Sequence, residues 1–182
     1  MDAGGDGMLS SCNQAIIDRF ASLTDWVDGL CDMPEQEWSG PIAEGKASIA
    51  GIIAHLTQWD RYLIETAVPD ALQKQAIVFP AFDSFNARAY AYARSGVTKP
   101  ELIEQFRLTR LELCRLLESI GEEALERPVT ANGTAVCPHT GTPYSVIYIT
   151  EEFIDHDAHH QRGIEEARSR SNGSGEDAML EI

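Results

Sequence analysis

Apolar residues recur along much of this chain at alternating steps of three and four, the spacing that lines one face of an α-helix. Four segments show it. In the first, Ile16, Phe20, Leu23, Val27 and Leu30 form one stripe, with Ser11 and Gln14 spaced as a capping box at its start and Pro34 at its end. The second follows the breakers Gly40-Pro41 and Gly45, carries Ile49, Ile52, Leu56, Trp59 and Leu63, and stops before Pro69. The third has Thr98 as N-cap, Pro100 in its first turn, Glu101 closing the box and Gly121 as C-cap. Its stripe is Leu102, Phe106, Leu113, Leu116 and Ile120, with Thr109 the polar exception. The fourth starts with Thr142 as N-cap and Pro143 at the first helical position, and runs to about Arg168. No convincing strand pair and no internal repeat accompanies them. The pattern predicts an all-α fold, a four-helix bundle.

Two connections are long. Residues 66–97 form a crossover between the second and third helices, with a short helix expected near 83–94 and an aromatic cluster of Phe79, Phe82, Phe85, Tyr90 and Tyr92. Residues 127–142 are turn-rich and read as irregular. Both ends look loose, so residues 1–170 are expected to make one bundle domain and 171–182 a flexible polar tail. A chain of 182 residues fits a single domain large enough to bury a core without disulfides or a structural metal.

Composition narrows the function. With 43% hydrophobic and 24% charged residues the chain is globular, and a formal charge of −15 repels phosphate backbones, which argues against a nucleic-acid partner. Cys12, Cys31, Cys114 and Cys137 show no CxxC spacing and read as reduced thiols, mostly buried. The N-terminus lacks a basic segment followed by an apolar one, and no run of about 18 apolar residues occurs, so a cytoplasmic protein without a membrane partner is expected.

The fourth helix is the anomaly. Its stripe reads Val146, Ile149, Phe153, His156, His160, Gly163 and Ala167, with two histidines where a core wants Leu or Ile. At about 100° per residue the two rings lie about 40° apart and one turn apart, on a common face. Such an i, i+4 pair can hold one divalent ion. It also occurs as a hydrogen-bonded or solvent-facing pair. His55, flanking the stripe of the second helix, is the one other helical histidine and can supply a third nitrogen. His159 is expected at the rim or in solvent, and His139, in Cys137-Pro138-His139, in a surface turn. Asp155 and Asp157 fall at the edges of the stripe. Glu152, one turn before His156, is either a group that orients a ligand or takes a proton, and so the candidate catalytic residue, or a solvated carboxylate near the helix N-terminus.

In order, Trp38, the segment IAHLTQWD containing His55, Phe85-Asn86 and the segment HDAHH of the last helix resemble the DinB/YfiT-like superfamily of metal-binding four-helix bundles, over roughly residues 10–168. The resemblance implies a metal on His55, His156 and His160 and frequent homodimers. It also implies kinship with thiol-dependent transferases and isomerases, such as bacillithiol transferases and the mycothiol-dependent maleylpyruvate isomerase, in which a low-molecular-weight thiol is activated at zinc or a similar ion. Relatives often carry Gln or His where this chain has Gly163.

The leading expectation is an enzyme acting on a small-molecule substrate, with a divalent ion (Zn, Ni, Fe or Mn) activating a thiol or water. Thiol S-transfer or a related isomerisation comes first and metal-assisted hydrolysis second, with the aromatic crossover and the 127–142 loop shaping the pocket. A non-catalytic binding or sequestration protein using the same pocket is the competing class, and a purely structural bundle the third.

Overall fold

The computed structural model describes residues 9–176 of the chain. Helix α1 spans Ser11–Ala21, and α2, Leu23–Asp28, continues it after a break at Ser22. The cap is one residue earlier than expected. Ser10 Oγ accepts from the Asn13 N–H at 3.2 Å, while Gln14 donates to Asp18 and Glu118, so the Ser11–Gln14 box does not form. Glu122 accepts the Ser10 N–H at 3.0 Å, which ties that residue outside the helix and hands it the cap. A short helix α3, Glu35–Ser39, follows and places Trp38 in the core.

Helix α4 spans Ile49–Tyr62, capped by Ser48 Oγ on the Gly51 N–H at 3.0 Å. Residues 49–57 are buried all round, because later helices pack against this one from several sides. The expected stop before Pro69 does not occur. The helix widens into a π turn, Leu63–Ala67, and resumes as α5, Val68–Leu72. Val68 N–H reaches the Leu63 carbonyl five residues back, and the loosened ladder admits a proline that has no N–H to place.

In the crossover, α6 spans Phe82–Ala93, close to the short helix expected there. Helix α7, Lys99–Ile120, has both halves of the Thr98–Glu101 capping box and ends at Gly121, whose φ of 79° suits glycine. A short α8, Glu122–Glu126, follows directly, in a stretch where the periodicity predicts no helix. The 127–142 loop holds a tight turn with positive φ at Asn132 (49°) and Gly133 (79°), across which Ala131 and Thr134 exchange backbone hydrogen bonds. Positive φ at two central residues favours Asn-Gly. Asn132 also fastens this loop to the crossover, its N–H donating to Ile77 O and its side-chain oxygen accepting from the Phe79 N–H, both at 2.9 Å.

Helix α9 spans Val146–Glu176, not beginning at Thr142-Pro143 as expected. Pro143 pairs with Val136 in an isolated bridge, and Ser145 Oγ accepts from the Tyr148 N–H instead. The helix continues past Arg168 into the segment expected to be a tail, and residues 177–182 lie outside the described part.

The four long segments α1–α2, α4–α5, α7 and α9 make the bundle, with α4 on α7, α1 on α7 and α9, and α6 laid against α4. The core has two halves. One gathers Trp38, Ile53, Leu102, Phe106 and Ile164, the other Ile17, Phe20, Leu113, Leu117 and Leu125. Each such side chain contributes about 1.5–3 kcal/mol by leaving water. Between the halves, at one level of the bundle, α4, α7 and α9 all present polar residues: His55 and Asp60, Thr109 and Arg110, His156 and Asp157. All four cysteines are free, and Cys12 and Cys31 are exposed, so only Cys114 and Cys137 are buried as expected. No helix among the described residues is long and apolar enough to cross a membrane.

Candidate metal centre

The polar layer contains the three histidines singled out by spacing. His55, from the middle of α4, is 3% exposed and aimed at α9, where His156 and His160 stand one turn apart. The Nε2 atoms of His55 and His156 are 3.1 Å apart, as are those of His156 and His160. One candidate donor atom from each of the three residues lies within 4.8 Å of the others.

That geometry tests the fit of an ion. A ring nitrogen carries either one N–H or one in-plane lone pair, so His156 Nε2 cannot satisfy two neighbouring Nε2 atoms. Three convergent lone pairs suit a cation instead. Nitrogens about 2.0–2.1 Å from one ion, at angles of about 90–110°, lie about 2.9–3.4 Å apart, which matches both 3.1 Å separations. Electrostatics keeps the rings neutral, as ligands must be. Burial, then His156 and His160, push His55 down to about 3. Burial, then His159 and Arg110, push His156 to about 4, and burial, then His156 and His159, do the same for His160 against the opposing pull of Asp157.

The histidine line is offset from the core face of α9. The fully packed positions are Val146, Ile147, Ile149, Thr150, Ile154, Asp157 and Ile164, so from Phe153 onward the line runs beside the core, with His156 on the wall of a cavity and His160 one turn further along. Gly163 adds no ligand, and a Cβ there would meet only Ile42 Cδ1 at 3.7 Å. His159 is exposed with its ring 5.6 Å from that of His160, and His139 is exposed in its turn, both as expected. Asp155 is exposed and pairs with Arg19 at 3.7 Å.

Asp157 departs from the edge position expected of it. It is buried with Asp60 and Arg110 in an ion triad. Arg110 Nε donates to Asp60 Oδ2 at 2.9 Å, and Nη1 donates to Asp157 Oδ2 at 2.7 Å and to the Phe20 carbonyl at 3.0 Å, with the guanidinium 3.7 Å from the Phe20 ring centroid. The sequence holds a signal for it. Arg110 is four residues after Phe106 and three before Leu113, a charge on an apolar stripe beside the likewise buried Thr109.

A cavity of about 450 Å³ opens beside the histidines. His55, His156, Trp59 and Phe153 form part of its wall, the crossover adds Phe79, Phe82 and Asn86, and the 127–142 loop adds Asn132. Glu152 lines it too, its Oε1 accepting the Tyr148 hydroxyl at 2.6 Å. Trp59 Nε1 donates to Asn86 Oδ1 at 3.1 Å. Another groove, about 510 Å³, lies between α3 and the later part of α9 and contains none of the histidines.

YfiT from Bacillus subtilis, described as a probable metal-dependent hydrolase with an unusual four-helix bundle topology, has a similar structure. Its TM-score is 0.70 over 94% of each chain, at 12% sequence identity. At that identity the likeness speaks to the fold. No curated protein sequence matches the chain. The family model of the DinB superfamily matches residues 17–164, from the first bundle helix through all three histidines, and the chain belongs to that superfamily.

Proposed function

We propose that this protein is a divalent-metal-dependent enzyme in which His55, His156 and His160 hold the ion and Glu152 serves as the base. The convergence of three neutral imidazoles, two of them on the wall of a cavity, carries the reading. A three-nitrogen site leaves positions open, and an ion there lowers the pKa of a bound water or thiol towards 7 and polarises a carbonyl. Glu152 takes the proton released by the nucleophile, and the Tyr148 hydroxyl holds the carboxylate in place. Trp59, Phe79 and Phe153 keep bulk water from the reacting groups. Among the described residues no lysine or arginine lines the cavity, so a carboxylate-bearing thiol finds no basic side chain to anchor it. This favours water as nucleophile, and hydrolysis over the thiol transfer expected first.

Metal analysis of untagged protein is expected to give one equivalent of a divalent ion, lost in His55→Ala, His156→Ala and His160→Ala. Glu152→Gln keeps the ion but lowers turnover of a neutral ester or amide panel by about 10²–10⁴-fold. Folded protein that binds none of Zn²⁺, Ni²⁺, Mn²⁺ or Fe²⁺ refutes the proposal. Turnover of the panel only when a thiol is added restores the transfer reading.

A further inference from the structure

The chemistry of the cavity speaks to what enters it. Its walls beyond the histidines are aromatic: Trp59 faces Phe82 at 5.7 Å, Phe153 at 5.9 Å and Phe79 at 6.2 Å between ring centroids. These rings pack on one another at tilts of 30–58°, which makes a continuous apolar wall, not an open cage around a cation. Phe82 is 58% exposed at the first turn of α6, an apolar lip that gains cover only from an apolar occupant. The polar groups of the lining are few: the Asn86 and Asn132 amides and the Glu152 carboxylate, besides the histidines and Tyr144. Asn132 spends its side-chain oxygen on the Phe79 N–H, Asn86 on the Trp59 indole, and Glu152 Oε1 on Tyr148.

Charge at the far end of an occupant would therefore leave water for few partners. A carboxylate or phosphate meets no lysine or arginine there. A cation meets one carboxylate, Glu152, whose Oε1 already accepts the Tyr148 hydroxyl, and it faces the field of a divalent ion on uncharged ligands. At about 450 Å³ the space is within the about 300–1,000 Å³ typical of small-molecule sites.

We infer that the substrate is an uncharged small molecule with an aromatic or similarly flat apolar body and one ligating head, the head directed to the three histidines and the body laid along Trp59, Phe79, Phe82 and Phe153. The head rests on the metal reading. The body rests on the cavity alone.

Hydroxamates test both parts, because their head chelates divalent ions whatever their body. With Zn²⁺-loaded protein, calorimetry is expected to show benzohydroxamate binding about tenfold or more tightly than acetohydroxamate. Para-carboxylate and para-trimethylammonium forms are expected to lose most of that advantage. Phe82→Ala reduces the preference for the phenyl body several-fold and leaves acetohydroxamate affinity unchanged. Equal affinity for the two parent compounds, or a charged form binding tightest, overturns the inference. A second arm uses metal-free protein and the neutral fluorophore N-phenyl-1-naphthylamine. Binding there that Phe82→Ala weakens supports the apolar body even if hydroxamates show no metal-dependent binding, a result that would remove the metal reading alone. No fluorophore binding, together with no phenyl preference, removes the inference.

Discussion

Replacing Arg110 by Met should unfold this protein more readily than any surface change. The guanidinium side chain is 0% exposed, and its partners Asp60 and Asp157 are 1% and 6% exposed. Removing it strands two carboxylates in the core, an effect of about 3–5 kcal/mol for a broken buried pair. For a domain of this size that lowers Tm by about 6–20 °C. The deficit should depend on pH with a definite sign. Burial already pushes Asp60 up to about 7 from an ordinary 3.8, against the pull of Arg110, and loss of Arg110 raises it further. A folded state that keeps a proton the unfolded chain has released is most stable at low pH and loses that stability as pH rises through the raised value. Urea unfolding of the metal-free variant should therefore show a larger loss at pH 8 than at pH 5. Adding Asp60→Asn and Asp157→Asn should recover part of it. A deficit below about 1 kcal/mol, or one equal at both pH values, would refute this account of the triad.

Gly163→Ala should stabilise α9 by about 0.5–1 kcal/mol in thermal unfolding, since the new methyl meets only ordinary contact with Ile42. Thr98→Ala should cost about 1 kcal/mol, because it opens a capping box formed on both sides. His139→Ala should leave metal stoichiometry unchanged by mass spectrometry, its side chain being exposed in a turn.

What could be read from the residue order was local or periodic. The Thr98–Glu101 box and Gly121 bracket α7 as expected, because a cap is decided by neighbours within one turn. The three histidines were legible since two share a helix face and His55 was the one other helical candidate. Errors fell where distant chain decides. Ser10 caps α1 because Glu122, far along the chain, holds its N–H. Pro69 does not end its helix because a π turn, invisible to a 3.6-residue period, takes up the strain. The stripe of α9 holds at Val146 and Ile149, but further along Ile154 and Ile164 are the packed positions and Phe153 and Gly163 only border them. By spacing Asp157 falls only at the edge of its stripe, and it is α7 that brings Arg110 between it and Asp60.

The triad also bears on why the histidines meet at all. Apolar layers that replace buried ion triads are often as stable or more so, so stability alone is a weak account of three charged groups at the centre of a bundle. Position does. Asp60 follows His55 by five residues on α4, and Asp157 adjoins His156 on α9. One guanidinium grips both, and its planar fork sets the spacing of the two histidine-bearing helices more rigidly than leucines that slide and repack. Arg110→Lys separates the two roles, because an ammonium keeps the charge and loses the fork. It should hold most of the charge-dependent stability while weakening Zn²⁺ affinity by about tenfold or more, on the scale at which groups behind metal ligands act. Equal Zn²⁺ affinity in Arg110→Lys and the parent, measured by competition with a chelator, would mean that the helices are spaced by their apolar halves alone.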